Sequence, residues 1–527
     1  MTPPAAPPHW KHLLQVTLLT LAWLALTAWA RPLMLPDEGR YVGVAWEMLR
    51  SGDWLTPTLD GLPFFHKPPL FYWIDASAMW LFGRAELAAR AAPLLGSTLG
   101  ALSLYLFMQR WLGERTARIA TIALLAQPLF FVGAQFANLD MLVAGCIGAT
   151  ITLLAHSALC MEQGLPWRRP LAAAFAMAAL GMLAKGLIGV VLPGMVIVLW
   201  LVVRRQWRVL IRLFWPPGIV LFLVLAAPWF LLMQQRFDGF LHYFFIVQHF
   251  QRFTQGGFNN AQPVWFYVAV LAVFSLPFLP WLAQLLRRHK LTDDGPPKTG
   301  TQRDVVWLMW IWFLAVLAFF SIPNSKLLGY ILPVLPPLAC LMALGLAALP
   351  RTSVRVTRLW YASVAVSAAA SIGAVVAFAL DTSSTWRDMA AVMRAQRQSG
   401  EPVFMLGRYY YDLPFYAHLT APTPVVDNWT DPKLRQSDNW RKELVDAGDF
   451  LPAQAAALLI GPAELPAALC KSPVNWIAAS RDVLVNYPFL VESEALFNAN
   501  GSMLWRLSTN QPKVAQALHC AGKPNAG

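Results

Sequence analysis

The chain has 527 residues, of which 57% are hydrophobic and only 13% charged, with 24 Trp and a formal net charge of +13. A soluble protein of this size carries roughly twice that share of charged residues, so the composition excludes an ordinary soluble enzyme. It also excludes a nucleic-acid partner: residues 381–527 hold 13 Lys and Arg against 14 Asp and Glu, the whole positive excess lies in the apolar part, and no zinc-finger spacing or basic arm occurs.

The first apolar segment, near 11–30, is followed by MLPDEGRYVGVAWEML at 34–49 and GLPFFHKPPLFYW at 61–73. Asp37, Glu38, Arg40, His66 and Lys67 make this loop, 31–88, densely polar in a chain poor in charge. Ionisable groups held at a bilayer are costly and usually functional. The spacing of Tyr41, Val44, Ala45, Met48 and Leu49 predicts a helix over 38–49, and 68–83 predicts a second. Both read as interfacial helices, apolar side down and Trp at headgroup level. Ala28, Trp29 and Ala30 resemble a signal-peptide cleavage site, but the run before them exceeds the usual core of roughly 7–15 residues, so it reads as a span.

Further apolar segments lie near 89–109, 118–135, 140–161, 170–184, 187–203, 211–233, 263–286, 304–322, 327–349 and 356–380. That makes eleven, at about the length that crosses a bilayer; the fifth and sixth are short and read as a hairpin or a broken pair. Basic residues gather in alternate connections, at 110–118, 168–169, 204–212, 287–303 and 351–358. The positive-inside bias then predicts a cytoplasmic N-terminus, with the loops 31–88 and 234–262, the turns at 135–140, 185 and 324–326, and residues 381–527 outside. The expected division is a membrane domain at 1–380 and an outer domain at 381–527.

In the outer domain, 402–406, 424–426, 456–460 and 502–507 read as strands and 413–418 as a helix, a mixed α/β pattern. Tyr409, Tyr410 and Tyr411 beside Arg408 read as sugar contacts or as packing, and nothing here looks catalytic. Cys470 and Cys520 are the only cysteines outside the spans, so an oxidising compartment predicts a disulfide between them. Cys146, Cys160 and Cys340 read as apolar packing.

The order of motifs carries a resemblance. A first span ending in Asp37-Glu38, then SGDWLTPTLDG, then HKPP with Trp73 behind it, resembles the polytopic glycosyltransferases that use polyprenyl-phosphate sugars. These are the GT-C fold enzymes of the protein mannosyltransferase superfamily, and the chain is most similar to the lipid A aminoarabinose transferases among them. The resemblance implies a polytopic α-helical membrane protein of about 11–13 transmembrane helices, with interfacial helices in the first outer loop and a C-terminal α/β soluble domain. It implies a bacterial inner-membrane enzyme that takes 4-amino-4-deoxy-L-arabinose from undecaprenyl phosphate and gives it to lipid A, with membrane lipids around it. Residue by residue, it implies catalytic roles for Asp37, for Asp140 in FANLDM and for Glu38. It implies lipid-phosphate binding by Lys67, by Arg252 in QHFQRF and by Tyr330 in NSKLLGY, with Lys185 and Lys326 in the same pocket and Arg40 and Tyr41 lining the substrate. His66 departs from the family, which typically has Glu before the Lys. His66 with His249 offers a divalent metal such as zinc two ligands, fewer than a zinc site needs, so no cofactor is firmly implied.

The chemistry fits these residue types independently. Nucleotide sugars are not supplied outside, so an outer-face transferase needs a donor already carried across on a lipid phosphate. Its leaving group gains negative charge, which Lys and Arg stabilise, Arg with two oxygens at once. The anomeric carbon gains positive character, which Asp37 or Asp140 stabilises, unless that carboxylate instead orients the sugar or takes a proton from a hydroxyl acceptor. Each residue also has a plainer reading: Asp37 and Asp140 as helix caps, Lys67 and Arg252 as side chains snorkelling to headgroups, Tyr330 as packing. Two other functions stay open, transfer of another sugar to protein or another glycolipid, and transport of a lipid-linked sugar. Transporters place charges on broken, repeated helices near the midplane, whereas here they gather in outer loops and no repeat is visible. Lys67, Arg252 and Tyr330 are expected to converge on one lipid phosphate.

Overall fold

A computed structural model describes residues 10–251, 260–289, 300–349, 353–381, 383, 385–436 and 439–520. They form two compact units, one from the described residues of 1–31, 67–254 and 260–380, the other from 32–66 and the described residues of 381–527. The expected boundary at 380 therefore needs a second cut: the first half of the outer loop, up to His66, belongs with the C-terminal segment.

In the first unit all eleven apolar segments are helical. Among the described residues six single helices are long and apolar enough to cross a membrane: Ala88–Leu112, Leu139–Glu162, Pro216–Arg236, Gly300–Ser321, Leu328–Ala347 and Val354–Leu380. Two further helix pairs reach that length and hydropathy only together and are bent at a break, Glu114–Ala126 with Pro128–Ala134 at 69° and Phe266–Phe274 with Leu276–Arg287 at 73°. The cause is chemical. Pro128 and Pro277 have no N–H to continue the ladder, so the helices break at Gln127 and Ser275 and carbonyls of the turn before each break lose their ladder partners. Apolar surroundings require those groups to find partners. Ser371 Oγ donates to the freed carbonyl of Ala126 at 3.2 Å, and Ser275 Oγ donates to Gln127 Oε1 at 3.4 Å, so the two breaks meet. The remaining helices, Trp10–Ala25, Arg168–Lys185 and Ile188–Val203, are shorter or carry more charge; Arg168–Lys185 holds three basic residues in 18.

In the second unit the helix Asp37–Ser51 does not present its apolar face to lipid, as the sequence suggested. Val42, Val44, Ala45, Trp46 and Met48 are buried within protein, and Trp46 Nε1 donates to Leu419 O. The helix Leu70–Phe82, in the first unit, leaves Trp80, Leu81 and Phe82 exposed at its end.

The second unit has a two-stranded ribbon, β1 (Thr58–Leu59) with β2 (Leu62–Pro63), and a six-stranded mixed sheet. The sheet comprises β3 (Val403–Leu406), β4 (Val425–Val426), β5 (Leu459–Ile460), β6 (Val474–Ser480), β7 (Ala495–Ala499) and β8 (Ser502–Ser508), in the order β5-β4-β3-β6-β8-β7. The first four in that order pair in parallel and the last two antiparallel. Central strands buried on both faces read as continuous apolar runs, and β3 is buried at all four positions. Phe404, Leu406, Ile477, Trp505 and Leu507 form the core of this sheet. Beside it Cys470 and Cys520 form the expected disulfide, with Cα atoms 5.5 Å apart across a sequence separation of 50.

Candidate active site

Asp140 stands at the start of the helix Leu139–Glu162. It is not the cap: Asn138 holds that place, its Oδ1 accepting the Asp140 N–H at 2.5 Å. The capped turn leaves the Asp140 side chain unspent, and its carboxylate pairs with the Lys185 ammonium from the end of the helix Arg168–Lys185. The pair is largely withdrawn from solvent, with side-chain exposure of 14% for Lys185 and 7% for Asp140. Lys185 Nζ also lies 4.4 Å from the centre of the Tyr330 ring, whose negative face attracts a cation. Gly329 makes this approach feasible. A Cβ there would meet the Asp140 side chain, with Cγ at 2.8 Å and Cβ at 3.0 Å, so no larger residue fits while Asp140 keeps its place.

Asp37 is not a cap either. The helix Asp37–Ser51 starts from Pro36 with no side-chain cap bond, and Asp37 Oδ1 instead accepts from Arg40 Nη2 at 2.5 Å. Arg40 Nη1 donates to Glu443, and Tyr411 OH donates to the other Glu443 oxygen at 2.6 Å. The guanidinium lies 5.4 Å from the Tyr41 ring and 5.7 Å from the Tyr411 ring. Burial opposes its charge, but Glu443, Tyr41, Tyr411 and Asp37 more than offset that and hold Arg40 well above its ordinary value. Burial, then Glu443, pushes the Tyr411 hydroxyl well up. Asp37, about a third exposed, is the member of this cluster that reaches solvent furthest.

The other expected residues divide plainly. Glu38 is fully buried and its Oε2 accepts the Met34 N–H at 2.8 Å, bracing the turn into the helix. Lys326 is buried and donates to the carbonyls of Gln262 and Pro323, while the backbone of 260–262 bonds to that of 324–326. This is a lock between two segments, and it spends that ammonium on carbonyls rather than on the Asp140 cluster. Lys67 is half-buried in the first unit. His66 is buried in the second and stacks on Phe64 at 4.6 Å. Arg252 and the side chain of His249 lie outside the described residues. Among the described residues no group of three His, Cys, Asp or Glu side chains is arranged to hold a metal.

Two further groups escaped the sequence reading. Glu443 sits in the helix Trp440–Gly448, and the only local sign was Asn439, which caps it by accepting from Arg441 N and Lys442 N. Glu47 and Asp60 form a buried pair of carboxylates. Glu47 accepts from Thr58 Oγ1 and from the N–H groups of Asp60 and Gly61, which fixes the β1–β2 turn. Burial is the main cause that raises both carboxyls, Asp60 strongly.

Known proteins share this architecture. A family model described as dolichyl-phosphate-mannose-protein mannosyltransferase matches residues 66–231. The undecaprenyl phosphate-alpha-4-amino-4-deoxy-L-arabinose arabinosyl transferase of Aeromonas hydrophila is 34% identical over 315 residues, 59% of this chain and 56% of that protein. Its counterpart in Pectobacterium atrosepticum is 33% identical over 337 residues, 63% of this chain and 58% of that protein. The match thus spans little more than half the length of these relatives. The crystal structure of ArnT from Cupriavidus metallidurans bound to undecaprenyl phosphate superposes with a TM-score of 0.77 at 23% identity, covering 98% of this chain and 100% of that one. The same protein in its apo state gives 0.76 over 97% and 99%. The chain therefore has the GT-C fold along essentially its whole length.

Proposed function

We propose that this chain is a glycosyltransferase that moves 4-amino-4-deoxy-L-arabinose from undecaprenyl phosphate to lipid A on the periplasmic face of the bacterial inner membrane. Its relatives carry that donor sugar in their names, and ArnT, which shares its fold, binds undecaprenyl phosphate. The observation that carries the reading is the Lys185 ammonium held between the Asp140 carboxylate and the Tyr330 ring. An ammonium in a poorly solvated place, with an anionic partner that a phosphate can replace, suits a departing lipid phosphate. Lys67, fixed by Pro68 and Pro69, and Arg252 serve the same phosphate in this reading. Asp37 is the candidate for stabilising positive character on the sugar or for positioning the acceptor. The N-terminus lies in the cytoplasm and the second unit in the periplasm, as the basic connections favour.

The test is direct. Purified protein is given undecaprenyl-phosphate-linked aminoarabinose and lipid A, and mass spectrometry looks for lipid A carrying one added sugar. Lys185→Met weakens undecaprenyl phosphate binding by about tenfold to a hundredfold, the worth of a charge-assisted contact of roughly 1.5–3 kcal/mol. Asp37→Asn abolishes transfer without changing the melting temperature. Unmodified lipid A with wild-type protein sinks the reading. Modification of a protein acceptor instead would favour the second reading, which the matching mannosyltransferase family model keeps in view.

A further inference from the structure

We propose that Glu443 and Tyr411, from the far end of the chain, are positioning residues for the reaction: they fix Arg40 and, through it, the Asp37 carboxylate. This rests on the reading that places Asp37 in the transfer chemistry. Four side chains form one chain of contacts. The Tyr411 hydroxyl donates to Glu443, Glu443 accepts from one arm of the Arg40 guanidinium, and the other arm donates to Asp37. Side-chain exposure rises along it, from 6% for Glu443 to 16% for Arg40 and 31% for Asp37. The inner end is fixed and the outer end is free to meet a substrate.

The inner end is anchored twice. Asn439 caps the helix that carries Glu443. The helix that carries Arg40 lies close on the backbone of Tyr411 and Asp412, because Gly39 and Gly43 face it: a Cβ on Gly39 would sit 3.0 Å from Tyr411 Cβ and 3.1 Å from Asp412 N, and one on Gly43 3.3 Å from Tyr411 O. The charged and titratable groups facing Arg40 are Asp37 and Tyr41 from its own helix, Tyr411 from the adjoining segment and Glu443 from the helix Trp440–Gly448. Only a planar fork reaches two carboxylates in fixed directions, which a lysine at this position would not do. Without Glu443 the fork is free to turn, and Asp37 loses its fixed direction. Misplacing a reacting group by about 1 Å costs on the order of a hundredfold in rate, so the effect falls on turnover rather than on binding.

The experiment uses the full chain in detergent with the donor and acceptor named above. Glu443→Gln, which keeps size and removes charge, lowers kcat roughly tenfold while KM for the donor stays within about twofold; Tyr411→Phe lowers kcat less. In an Arg40→Met background Glu443→Gln adds almost nothing, because its effect passes through Arg40. An unchanged kcat, or the same loss with and without Arg40, overturns the inference. A second measurement needs no activity: carbodiimide labelling of Asp37, read by peptide mass mapping at mildly acidic pH. Glu443→Gln leaves the whole guanidinium charge to Asp37 and slows labelling severalfold, while Arg40→Met speeds it. Equal labelling in all three proteins overturns the positioning role. Transfer that survives Asp37→Asn, with the labelling pattern intact, would instead defeat only the catalytic assignment of Asp37.

Discussion

In the membrane-spanning unit one carboxylate, Asp140, meets one ammonium, Lys185, beneath the ring of Tyr330. In the other unit two carboxylates, Asp37 and Glu443, divide the single guanidinium of Arg40. Among the described residues the charges of the first cluster balance, and a phosphate can compete for its cation. These three groups of the second carry one negative charge in excess, which repels an anion and attracts a cation. The contrast extends to how each is held. Asp140 and Lys185 pair inside an apolar frame, where a buried ammonium that loses its carboxylate is costly. Arg40 keeps a partner whichever carboxylate is removed.

The comparison breaks most visibly at Asp140. Asp140→Ala leaves the Lys185 charge without its carboxylate and destabilises the protein by about 3–5 kcal/mol, whereas Asp37→Ala, at a partly exposed pair, costs about 1 kcal/mol or less. Thermal melting of both variants in detergent decides this, and equal losses would erase the distinction. A smaller effect comes from the second unit's crosslink. Cys470→Ser removes the loop closure across 50 residues and lowers stability by about 2–4 kcal/mol. Reductant should lower the melting of wild type and leave the variant unmoved; a wild type insensitive to full reduction contradicts it.

The smallest effect is in pH dependence. Burial pushes the Asp412 carboxyl up from 3.8 to about 6, against hydrogen bonds from Trp386 N and Thr385 Oγ1. A carboxyl raised in the fold binds its proton more tightly there than in the unfolded chain. Its contribution is therefore full below its ordinary value of 3.8 and lost as pH rises through about 6. The loss is of order 2–3 kcal/mol. Asp412→Asn should flatten the fall in melting temperature between pH 4 and pH 8, and an unchanged slope would assign that dependence elsewhere.

The helical plan of the first unit was legible because apolar runs at bilayer length have few other readings. The breaks have a local sign in Pro128 and Pro277, but that the two breaks meet, Ser275 against Gln127, depends on where the segments lie in space. Asp37, Asp140, Lys185 and Tyr330 were legible as residues of interest from motif order and scarcity of charge. Their partnerships were only partly so. Pairing of Asp140 with Lys185 joins two helices, and the pairing of Arg40 with Glu443 spans 403 positions; no local pattern encodes either. The helix 38–49 misled for the same reason: an apolar stripe looks alike whether it meets lipid or protein. β6 and β7 escaped because VNWIAAS and ALFNA mix small and polar residues among few apolar ones.

The second unit is assembled from stretches that leave the ribosome far apart in time. Its first piece, 32–66, is complete before any of the C-terminal segment from Asp381 onward is made. At about 5–20 residues per second, the buried face of the helix Asp37–Ser51 waits on the order of 15–60 s for the strands and helices that cover it. During that interval Val42, Trp46 and Met48 need a temporary shelter, either the bilayer surface or a chaperone. Biogenesis, more than the stability of the finished molecule, is therefore where mutations that make this helix more apolar should do their first damage.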